Sequence, residues 1–72
     1  MKTLTIQEII NDKKEQLVGY QKALEADMYV YENRFREGEE EDKEEFKVHV
    51  LNSLIETIER IQNSIKEYET KL

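Results

Sequence analysis

LNSLIETIERIQNSIKEYETKL, residues 51–72, decides the fold. Its apolar residues Leu51, Leu54, Ile58, Ile61, Ile65, Tyr68 and Leu72 step by 3, 4, 3, 4, 3 and 4. An α-helix returns to the same face every 3.6 residues, so this spacing gathers seven side chains into one narrow stripe, the a/d seam of a coiled coil. The intervening Glu, Lys, Arg, Gln and Asn face water. A strand would need alternation with a period of two, and none is present.

Working back from this helix, the chain turns acidic. Glu37-Gly38-Glu39-Glu40-Glu41-Asp42-Lys43-Glu44-Glu45 holds seven acids against one base. The remaining ten acids and ten bases cancel, so the net charge of −6 resides in this segment alone. Gly38 suits the end of a helix. Asp42 with Glu45 three residues on is a helix-start signal, and acids in a first turn are favoured by the helix dipole. The reading is a turn over 37–42 and a second helix from about 43 to 71.

Before the turn, Thr5 can cap a helix with Glu8 completing a capping box, and Leu4 and Ile9 can form a hydrophobic staple. No proline interrupts the stretch from Ile6 to Arg36, where Arg34 and Arg36 complement the carbonyl end of the dipole. A helix over about 6–36 would be roughly 46 Å long. Gly19 is its one weak point, either a tolerated loss of up to about 1 kcal/mol or a site of close helix approach. Ile10, Leu17, Leu24 and Tyr31 repeat every seven residues, with Met28 beside them and with Lys13, Lys14 and Asp27 as interruptions.

The two stripes match under a single register. In an antiparallel hairpin, facing positions add to a constant. A constant of 82 sets Tyr31 against Leu51, Met28 against Leu54, Leu24 against Ile58, Leu17 against Ile65 and Ile10 against Leu72. It also brings Phe35 near Phe46 as an aromatic clasp, and lays the stem of Lys14 along Tyr68. The expected fold is therefore all-α, one domain over residues 1–72, an antiparallel two-helix hairpin.

Such a hairpin is short of core. With 72 residues, no cysteine for disulfides and a single histidine, it lacks the usual staples of small domains. Ile6, Ile9, Tyr20, Val30, Val48, Val50 and Ile55 lie on the shoulders of the seams, where a second hairpin could cover them. A homodimeric four-helix bundle or coiled coil is the expected assembly.

The function classes narrow accordingly. No glycine-rich phosphate loop, nucleophile elbow or metal-ligand spacing is present, and a two-helix hairpin has no cavity of its own, so the expectation is a non-enzyme without cofactor or metal. Glu45 and His49 share a helix face, but an exposed histidine beside an acid is the simpler reading. Tyr20, Tyr29, Tyr31 and Phe35 lack the basic groove that nucleic-acid stacking requires, so direct nucleic-acid binding is not expected. No apolar run suits a signal peptide or a membrane span, and a cytoplasmic protein is expected. Two roles remain, a self-associating interaction module with an unidentified protein partner, or an acidic inhibitor whose tip residues Glu39, Glu40, Glu41 and Asp42 mimic nucleic-acid phosphate toward a basic protein. The Ile-, Glu-, Lys- and Asn-rich vocabulary resembles that of small bacterial and phage proteins.

Overall fold

The computed structural model describes residues 3–72, and all of its regular structure is helical. Helix α1 spans Ile6–Asn33, α2 Glu40–Phe46 and α3 Asn52–Glu69, with a π-helical segment at Lys47–Leu51 joining α2 to α3. Together α2, the π segment and α3 form one rod that folds back along α1, giving a particle of 54 × 19 × 16 Å.

Thr5 starts α1 from an extended backbone, and its hydroxyl oxygen accepts the Glu8 N–H at 3.1 Å. The reciprocal half of the capping box differs from expectation. The Glu8 carboxylate sits 3.1 Å from the Thr5 hydroxyl, whose proton it accepts, rather than reaching the backbone. At the other end α1 stops at Asn33 rather than Arg36. The Arg34 N–H makes the last helical bond, to the Val30 carbonyl, and the Asn33 amide donates to the Tyr29 carbonyl.

The reversal depends on Gly38, whose φ of +95° lies where a side chain is strained. The rod begins at Glu40 rather than Lys43, placing Glu40, Glu41 and Asp42 in its first turn. Those three acids meet the positive end of the dipole, which explains the earlier start. No side chain caps the helix; instead Glu39 and Glu40 brace the turn, accepting the N–H groups of Arg36 at 3.0 Å and Gly38 at 3.2 Å.

Across the hairpin, Phe35 and Phe46 meet with ring centroids 5.5 Å apart and planes tilted by 57°. Lys13 lies over the Tyr68 ring at 5.5 Å. Both pairs add to 81, one unit from the expected register, and Leu17 and Ile65 share a groove. The α1 lysine stacked there is thus Lys13 and not Lys14, and Lys71 lies over the same ring at 5.0 Å.

That shift of one has a simple origin. Besides Ile9 and Val30, which are half-buried at its edge, the residues of α1 turned inward are Ile6, Ile10, Lys13, Leu17, Leu24, Asp27 and Tyr31, with Tyr20 between them 40% exposed. Counting Tyr20, they step by 4 and 3 without a break, so Lys13 and Asp27 are members of the seam rather than interruptions. Met28 falls one position outside it and stays 38% exposed, where the sequence pattern set it inside against Leu54. Leu72 also misses the seam, because α3 ends at Glu69 and leaves Leu72 69% exposed, so Ile10 lacks its expected partner there.

The π segment accounts for the phase of the second rod. Continued backward from Leu51, the heptad would place Lys47, Glu44 and Glu40 on the seam. The inward residues are instead Val50, Phe46, Lys43 and Glu39. One extra residue is absorbed where the Asn52 N–H bonds to the Lys47 carbonyl, five residues back, and the phase slips so that Phe46 reaches Phe35. Tyr31, under the Lys43 ammonium at 4.8 Å, completes that end.

Two sets of changes test this fold. A Cβ at Gly19 would meet open space, so Gly19→Ala in dilute chain raises stability by up to about 1 kcal/mol. Gly38→Ala meets no atoms either but is strained by its φ, and costs about 1–2 kcal/mol; thermal denaturation followed by circular dichroism reads both. Deleting His49 removes the extra residue and leaves Phe46 in phase with Leu51, so the midpoint stays within about 5 °C of wild type. Deleting Gln62 brings Lys66 and Glu69 onto the seam, and the midpoint falls by more than about 10 °C.

Candidate functional site

The seam is one side chain wide, and among the described residues only Ile10, Leu51, Ile58 and Ile65 are buried. Leu17, Leu24, Tyr31, Leu54, Ile61 and Tyr68 are half-buried. The hairpin therefore has two long flanks where the edges of the seam meet solvent.

On the first flank, Lys14, Gln62 and Glu69 line a groove above Leu17 and Ile65, showing that these rows of α1 and α3 share a side. Two heptads from Lys14 along the same row stands Met28, and one heptad before Gln62 stands Ile55, 39% exposed. Val48, one heptad before Ile55, is 47% exposed. Met28 and Ile55 give this flank exposed apolar surface in the half of the hairpin nearest the turn, whereas Val48, on the far side of the phase slip, lies with Glu41, Asp42, Glu45 and His49 at the tip. The rim of the flank is acidic, because Glu25, Glu32 and Glu59 are exposed one helical step further out.

On the second flank, Gln16, Gly19, Tyr20 and Ala23 line an open groove of about 310 Å³. Ile9 and Val30 continue this row on α1, while Val50, Thr57 and Ser64 form the facing row; all five are half-buried. Apart from Tyr20, 40% exposed, the side chains around the groove are small or unbranched and polar.

The residues expected to mediate self-association thus divide. Ile6, Ile9, Val30 and Val50 are half-buried within the hairpin, and Tyr20 is open on the second flank. Ile55 is open on the first, and Val48 is open in the groove at the tip. They do not make one continuous patch. Lys13 and Asp27, which join the seam, were missed by hydrophobicity alone; the unbroken 4 and 3 spacing would have found them had charged residues been allowed into the pattern.

At the acidic tip, Glu39 is half-buried and tied to Arg36, while Glu40 is exposed with its carboxylate on the Gly38 N–H. The backbone N–H groups of Glu40 and Gly38 hold the Glu40 carboxyl below the usual carboxylate range. Glu41 and Asp42 are exposed beside Glu44, Glu45, Val48 and His49 along a shallow groove. Among the described residues no group of three or more His, Cys, Asp or Glu is placed to hold a metal ion, and no helix is long and apolar enough to cross a membrane.

Comparison with family models, curated proteins and solved structures returns no match. The geometry of the flanks and the tip therefore carries the functional argument.

The tip gives a test with a defined sign. Because Glu40 ionises more readily in the folded chain, its contribution to stability is present above the ordinary carboxylate pKa of about 4.3 and is lost as pH falls through its lower folded value. Glu40→Ala therefore melts below wild type at pH 7, and the difference in midpoint narrows as pH falls below about 4. A difference that stays constant across this range would contradict the assignment.

Proposed function

We propose that this protein is a self-associating helical interaction module whose working form is a homodimer of hairpins, and that it acts by presenting helical surface to protein rather than by catalysis. The observation carrying this reading is the shortage of core, with four buried side chains among the described residues and both flanks left open. A chain of 72 residues without disulfides stands at the margin of independent stability, since its small core must offset the conformational entropy of the whole chain. A second hairpin adds apolar burial without adding any new loop.

The acidic-mimic reading of the tip gains less support. Glu39 and Glu40 are engaged with the backbone of the turn, and Glu40, Glu41 and Asp42 complement the helix dipole. Their positions have a structural reason that requires no basic partner.

If association supplies the stability, unfolding depends on concentration. Raising the chain from about 1 µM to 1 mM adds up to about 4 kcal/mol of mass-action stabilisation and lifts the melting midpoint by at least about 10 °C. A midpoint independent of concentration, with sedimentation showing a monomer throughout, rules the reading out.

A further inference from the structure

We infer that the second flank, the face of α1 centred on Tyr20, receives a second copy of this chain in antiparallel orientation, with Lys13 of each protomer opposite Asp27 of the other. This rests on the self-association reading and specifies its surface and direction.

Two charges stand in an otherwise apolar seam. Lys13 and Asp27 are half-buried, of opposite sign, and each seven residues from Tyr20. Within one chain they stand fourteen residues apart, about 21 Å along the helix, too far to pair. Lys13 rests on the Tyr68 ring, but Asp27 takes part in none of the side-chain hydrogen bonds among the described residues. Partial burial of a carboxylate is unfavourable without a partner. A two-fold axis through Tyr20, perpendicular to the helices, lays α1 on its copy in the reverse direction. Lys13 then comes level with the partner chain's Asp27, twice over. Charged residues at seam positions are known devices for fixing register and direction in helical assemblies.

The shape of the flank agrees. Tyr20 stands beside the groove lined by Gln16, Gly19 and Ala23, and nothing lies within 4 Å of where a Gly19 side chain would project. The same axis brings each Tyr20 ring over the other protomer's groove.

Long-range charge selects the same direction. A parallel dimer would set two tips of −6 side by side, whereas the antiparallel one separates them along a 54 Å particle, many times the screening length of about 8 Å. The first flank is a poor site for a copy of itself. Pairing its Met28 and Ile55 across a two-fold axis would bring Glu25, Glu32 and Glu59 of both chains together.

Sedimentation equilibrium on the full chain tests this, with circular dichroism confirming helicity of each variant. Lys13→Glu and Asp27→Lys each weaken association at least tenfold, and the double variant recovers most of the wild-type affinity, because the reversed pair re-forms only between chains. Gly19→Leu fills the groove and weakens association similarly, while Ile55→Lys leaves it unchanged. A spin label at Glu37→Cys, the sole cysteine, reports a separation on the order of 50 Å between protomers, against about 20 Å, two helix diameters, for parallel hairpins. If the wild type dimerises but Ile55→Lys disrupts it and Gly19→Leu does not, or if the labels are close, this surface and direction are overturned while self-association stands. A wild type that remains monomeric overturns both.

Discussion

The packing of the α1 stripe of Ile10, Leu17, Leu24 and Tyr31 along the returning stripe of Leu51, Ile58 and Ile65 is the constraint on which the structure depends. Two α-helices touch along a line, and that line admits one row of side chains from each. Every other feature serves to bring the two rows into register or to protect the edges that they leave uncovered. Thr5 fixes where α1 begins, Gly38 reverses the chain, Phe35 and Phe46 close the turn, and the π segment adjusts the phase of the returning rod.

What could be read from the sequence follows from how charge and apolarity are distributed. α3 was legible from Leu51 through Tyr68, because its seam is apolar at every position there and its outward face is largely polar, but Leu72, read as the seam's last member, lies beyond the helix end and is exposed. α1 was legible in period but off in phase for part of its length. Lys13 and Asp27 occupy seam positions, and a reading that follows apolarity slides to Met28 on one side and to Lys14 on the other. The register survived within one unit because it was set by many pairs at once, so a local slip at two positions could not move it.

The turn and the π segment were less legible for different reasons. Asp42 is a better capping residue than Glu39 in isolation, but the reversal at Gly38 lets the rod begin earlier and gives three acids the dipole-facing turn. The π segment has no composition signal of its own. It becomes visible only when the apolar phase on either side of it is compared and found to differ by one residue. The candidate surface was legible as a list of shoulder residues, but not as two separate flanks, since that division requires knowing which row of α1 lies beside which row of α3.

The clasp of Phe35 and Phe46 has a consequence for how the chain reaches this fold. The shortest loop that joins the helices is the one these rings close, and the entropy of closure grows with loop length, so the hairpin zips from its turn toward its ends. The closing end is also where like charges crowd. Assembly of the helices therefore begins against the strongest self-repulsion in the molecule, and dissolved counterions, by shielding it, act as a kinetic lubricant for folding.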